Sequence, residues 1–166
     1  MYGASKTEAE RAIWRIAKEF EAPFQVSTIL PNAMFGPILK PNGADDSSTA
    51  TWLLKLFNGE ADAFDSFPPQ YYVDVRDTAR LHSIALRDPS CSGQRIFSFA
   101  APFNRSDVLA LFRELRPGQS FPVDDRETGR DLSIIPNEDA NELLQTHYGK
   151  GFASLKECVK ATIDSV

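Results

Sequence analysis

Tyr2 and Lys6 stand four residues apart near the start of a chain of 166 residues. On an α-helix that spacing places two side chains on one face, so a phenol and an ammonium would project into the same space. A Tyr hydroxyl is a poor acid near neutral pH, with an unperturbed pKa of about 10, and an adjacent cation favours its phenolate. Such a Tyr can hand a proton to a carbonyl oxygen while hydride arrives at the carbon, or do the reverse. The pair alone is weak, because roughly one chain of this size in three or four carries it by chance at average abundances. Its setting is a helix. Tyr2, Lys6, Ala9, Ile13, Ile16 and Phe20 recur at alternating spacings of four and three, with Glu8, Arg11, Arg15 and Lys18 on the other face. Arg15 and Glu19 are spaced to pair, and Pro23 stops the run.

The elements behind that helix follow an α/β rhythm. Phe24 to Leu30 is rich in β-branched residues and bounded by proline, which predicts a strand. Pro31 to Ser48 reads as loop, with Pro37, Pro41 and the Asn42-Gly43 turn dipeptide. A short helix is expected from about Thr49 to Asn58, ending at Gly59, then an irregular aromatic stretch over 60–70 and a brief extended segment at Tyr71–Val73. Asp74 is placed to cap a helix, with Asp77 near its positive end, and Leu81, Ile84 and Leu86 carry it to Pro89. Gly93 to Ala101 reads as a second buried strand. Asn104 caps a helix through Leu115, Leu132–Ile135 looks strand-like, and Asn137 starts a helix through Leu144. Ser154-Leu-Lys-Glu157 is a capping box, opening a last helix with Leu155, Val159, Ile163 and Val166 on one face. There is no internal repeat.

Tyr2-Gly-Ala-Ser-Lys6-Thr-Glu-Ala-Glu-Arg11, then Ile29-Leu-Pro-Asn-Ala-Met-Phe-Gly-Pro37, then Tyr72-Val-Asp-Val-Arg-Asp-Thr-Ala79 resembles the extended short-chain dehydrogenase/reductase family. This is the NAD-dependent epimerase/dehydratase superfamily, and the likeness is to its dihydroflavonol-reductase-like carbonyl reductases. Gly93-Gln-Arg-Ile-Phe-Ser98 and Gly151-Phe-Ala-Ser-Leu-Lys-Glu157 keep the same order, so the resemblance spans nearly the whole chain. It implies that Tyr2 is the general acid/base, that Lys6 holds the nicotinamide ribose and lowers the Tyr pKa, and that Pro31 and Met34 border the nicotinamide. Met34 stands where Val is usual, which keeps an apolar wall. The implied cofactor is NADP, with NAD an alternative, and the implied partner is a small carbonyl or alcohol substrate.

The resemblance also implies a fold: the C-terminal part of a Rossmann-like doubly wound parallel sheet, with strands near 24–30 and 94–99 as parallel neighbours, plus a small α/β substrate lobe. Residues 1–30 and 74–99 would form the sheet remnant, 31–73 and 100–150 the lobe, and 151–166 the C-terminal helix. No Gly-x-x-Gly-x-x-Gly occurs in the chain, and the Ser or Thr that the family places before the Tyr is missing. Backbone approach to a pyrophosphate at a helix N-terminus needs such glycines. The expectation is therefore the C-terminal half of a reductase, inactive alone and prone to self-association through an uncovered sheet edge. A non-catalytic truncated homologue acting as an interaction module is the alternative, and epimerase or dehydratase chemistry a third.

Composition narrows the rest. Eighteen basic against twenty-three acidic residues, net −5, offers no footprint for nucleic acid. No apolar run reaches the roughly 20 residues of a membrane span. Two cysteines, Cys91 and Cys158, and no leader-like N-terminus suggest a reducing, cytoplasmic setting. His82 and His147 lack partners at metal-ligand spacing, so no metal site is expected. Asp74, Arg76, Asp77 and Arg80 are better explained by capping and pairing than by catalysis. Ser47, Ser48 and Thr49 suit either a cofactor contact or a helix cap, and Phe35, Phe64 and Phe67 either pocket lining or loop burial.

Overall fold

The computed structural model describes residues 1–21, 23–39, 48–65, 67–125 and 129–166. Its elements are α1 (Tyr2–Glu19), β1 (Thr28–Pro31), β2 (Ala33–Phe35), α2 (Ser48–Phe57), β3 (Gln70–Asp74), α3 (Val75–Arg87), β4 (Arg95–Ser98), β5 (Ala101–Phe103), α4 (Arg105–Leu115), α5 (Glu138–Tyr148) and α6 (Leu155–Ile163), with a single 3-10 turn at Pro89–Cys91. β1 and β4 are parallel neighbours, as expected, with Thr28 opposite Arg95 and Pro31 opposite Ser98. Both strands are shorter than the sequence suggests: the first starts only at Thr28 and the second ends at Ser98.

The chain leaves this pair in two places and enters a second sheet in both. After β1 it passes through Asn32 into β2, and after β4 through Phe99 and Ala100 into β5. β3 lies between them, parallel to β2 and antiparallel to β5. Pro102 is tolerated because β5 is an edge strand. Ala33–Phe35 is therefore strand rather than loop. The reason is tertiary: three residues offer no periodic signal, and β3 supplies their hydrogen-bond partners. The Asn42-Gly43 turn lies outside the described residues.

Two apolar clusters hold the layers. Phe35, Leu53, Leu56, Phe103, Val108 and Phe112 lie in the larger one, between β2, β3 and β5 and helices α2, α4 and α6. Leu81, Ile84, Cys91, Ile96, Ala140 and Leu144 join α3, β4 and α5 in the smaller. The expected caps are present: Asp74 accepts the Arg76 N–H at 2.8 Å, and Asn104 with Asp107 and Ser154 with Glu157 form capping boxes. α5 runs on to Tyr148 and stops where Gly149 turns left-handed at φ 70°.

Two expectations need correction. Leu132–Ile135 pairs with no strand among the described residues, and Leu132 and Ile134 are exposed. The segment is held instead by Tyr71 Oη donating to the Ser133 carbonyl and by Arg130 donating to that of Pro102. Val166 falls beyond the core face of α6 and is exposed. The apolar stripe of α1, by contrast, is uncovered as expected, with Ile13 at 50% and Phe20 at 76% exposed.

Candidate active site

The helix forms as its periodicity demands, and it brings Tyr2 and Lys6 together. Lys6 Nζ lies 5.7 Å from the centroid of the Tyr2 ring, a cation–π distance. Both side chains are exposed, Tyr2 at 78%. A phenol and a cation thus stand side by side at the head of a helix, open to a ligand.

Glu10, one further step of four along the same helix, ties α1 to the sheet. Arg95 donates to it from Nε at 2.8 Å and from Nη2 at 2.9 Å, and the Thr28 hydroxyl donates at 2.7 Å. The Trp14 indole adds a longer contact at 3.4 Å. The Arg95 fork pulls the Glu10 carboxyl down to about 2, against a smaller opposing effect of burial. In the sequence Glu10 and Arg95 fall inside longer motifs, and nothing local gives either a role. The four-residue series Tyr2, Lys6, Glu10 was the available signal, but its partners lie on strands distant in sequence.

Pro31 closes β1 and is exposed, while Met34 is central in β2, half-buried and opposite Val73. The Met34 carbonyl accepts the Thr49 hydroxyl at 2.6 Å. Thr49 is thus engaged in joining β2 to α2. Ser47 lies outside the described residues. Of the loop aromatics, Phe35 and Phe64 are core residues: each meets Phe103 edge-on, at 5.2 and 6.4 Å. Phe67 stacks on Trp52 with centroids 3.5 Å apart.

The charged run after β3 is structural. Asp74, fully buried, takes a two-point bond from Arg76, which holds its carboxyl below the usual range despite burial. Asp77 pairs with Arg80 at 2.8 Å and accepts the Ala153 N–H at 2.8 Å, docking the start of α6. His82 Nδ1 sits 2.8 Å from the Thr78 carbonyl and His147 Nε2 2.8 Å from Asp88. Cys91 and Cys158 are free, buried thiols, and burial raises both pKa values. Among the described residues no three His, Cys, Asp or Glu side chains group closely enough to hold a metal, and no helix is long and apolar enough to cross a membrane.

A parallel α/β sheet preceded by a helix that presents Tyr and Lys on one face defines a Rossmann-type α/β class. Comparison with known proteins gives the family. The sequence is 37% identical over 166 residues to aldehyde reductase 2 of Sporidiobolus salmonicolor, covering 99% of this chain and 48% of that protein. It is 33% identical over 168 residues to ketoreductase adrE of Penicillium roqueforti, covering 98% and 49%. The solved structure of yeast methylglyoxal/isovaleraldehyde reductase Gre2 complexed with NADPH matches with a TM-score of 0.81 at 25% identity, over 99% of this chain and 50% of that one. No protein-family model matches the sequence. The chain belongs to the extended short-chain dehydrogenase/reductase family, and it spans about half the length of the curated relatives it matches.

Proposed function

We propose that these residues are the C-terminal half of an NADP(H)-dependent reductase or dehydrogenase acting on a carbonyl or alcohol. The observation that carries the reading is the Tyr2–Lys6 pair at the exposed head of α1, in a chain whose relatives are named aldehyde reductase and ketoreductase. Bound nicotinamide supplies or accepts the hydride. Tyr2 Oη gives its proton to the carbonyl oxygen in the reductive direction and takes it back in the oxidative one. Lys6 keeps a positive charge beside the phenol and holds the ribose. Pro31 and Met34 make an apolar wall on the nicotinamide. Residues 1–30 and 74–99 form the sheet part and 31–73 and 100–150 the substrate lobe, a division supported by the parting of the two sheets at Asn32 and at Phe99–Ala100. The setting is cytoplasmic.

The test places these residues in the full-length protein. Tyr2→Phe lowers turnover about 100- to 10,000-fold, the usual worth of a positioned proton donor, and leaves NADPH binding largely intact. Lys6→Met harms both. Unchanged turnover in Tyr2→Phe rejects the assignment.

A further inference from the structure

α1 has no buried residue, and its half-buried positions are Glu10, Ala12, Trp14 and Ala17. Two alanines and one indole leave little apolar area to hold an 18-residue helix in place. The grip is polar. Thr28 and Arg95 are register partners on the first rung of the β1–β4 pair, so their bonds to one carboxylate tie the helix to both strands at once. Ion pairs on open surfaces are weak. This one has two-point geometry, and the Glu10 side chain is only 17% exposed.

Lever arms on the two sides match. Tyr2 precedes Glu10 by eight residues, about 12 Å along the axis and about 80° around it. Pro31 follows Thr28 by three residues, about 10 Å along the strand. A helix that crosses over into a parallel strand runs antiparallel to it, which would bring Tyr2 level with the end of β1. A slip at Glu10 then displaces the phenol. Resting on the reading of Tyr2 as proton donor, we propose that Glu10, clamped by Arg95 and Thr28, is a positioning residue that sets the height and rotation of α1 and so aims Tyr2 and Lys6.

A double-mutant cycle in the full-length reductase tests this, with kcat and the KM for NADPH measured separately. Glu10→Ala and Arg95→Ala each lower kcat about 10- to 100-fold, the scale of an ångström misplacement, while KM rises by less. The double variant is no worse than either single one, and the reciprocal pair Glu10→Arg with Arg95→Glu recovers part of the lost kcat. Amide exchange increases in residues 2–19 alone. If either single variant keeps kcat within about twofold of the parent while Tyr2→Phe abolishes turnover, the positioning role is overturned and that of Tyr2 stands. Loss of exchange protection throughout the chain also overturns it, since that marks a merely structural pair. Turnover that survives Tyr2→Phe removes the underlying reading and this proposal with it.

Discussion

Glu10 gives α1 an acid-labile anchor. Its carboxyl is held at about 2 in the folded chain, against an ordinary value of 4.5, chiefly by Arg95. A depressed carboxylate pKa stabilises the fold above the unfolded value and loses that contribution as pH falls through the folded one. The anchor is therefore complete above about pH 4.5 and fades toward about pH 2. Trp14, whose indole reaches Glu10, reports on it once Trp52 is replaced by Phe. We expect a fluorescence transition in that window which Glu10→Gln shifts or removes. A transition identical in the two proteins places the acid-sensitive step elsewhere.

At the scale of elements, a buried hydroxyl ties α6 to the residue that follows β2. Thr162 Oγ1 accepts the Gly36 N–H at 2.8 Å and donates to the Cys158 carbonyl at 3.0 Å. Thr162→Val keeps the shape but leaves the Gly36 N–H without a partner, at a cost of about 1–3 kcal/mol in denaturant unfolding. Thr162→Ser, which keeps the oxygen, is milder. Gly36 itself sits at φ 130°, where a Cβ would come 2.9 Å from Val75 Cγ1, so Gly36→Ala destabilises by both strain and overlap. At the other end of α6, Ser154→Ala removes a capping box and lowers stability by about 1 kcal/mol. Urea midpoints of the four variants check the set. Equal stability of Thr162→Val and the parent rejects the tie.

At the scale of the molecule, two surfaces stand out: the exposed stripe on α1 and the side of β1 that has no strand partner among the described residues. Ile13, Ile16 and Phe20 offer contiguous apolar surface, and an unpaired strand edge invites a partner. The 166 residues alone should self-associate, and Phe20→Glu with Ile13→Glu should shift the population toward monomer in size-exclusion chromatography. The same preparation should show no NADPH binding by titration calorimetry and no reductase activity. The sequence holds no Gly-x-x-Gly-x-x-Gly to bring backbone close to a pyrophosphate, and on the proposed reading Tyr2 with Lys6 reaches only the nicotinamide end. Micromolar binding by a stable monomer overturns that expectation.

Much of this was written in local pattern. The α1 periodicity, the Asp74, Asn104 and Ser154 caps and the Tyr2–Lys6 spacing depend on residues two to four apart, where side chain and backbone meet within one helical turn. Ala33–Phe35 became a strand only because β3 lies beside it, and Leu132–Ile135, with a better strand pattern, found no such neighbour. Phe35 and Phe64, ambiguous as loop aromatics, were drawn into the core by Phe103, a residue far along the chain. The anchoring of α1 was likewise beyond local reading. Glu10 meets Arg95 across 85 residues, and such a pairing exists only once the sheet has brought its strands side by side. Sequence by itself determined which groups could do chemistry and which helix would carry them. Tertiary structure decided what holds that helix, because long-range contacts are set by packing and register rather than by spacing along the chain.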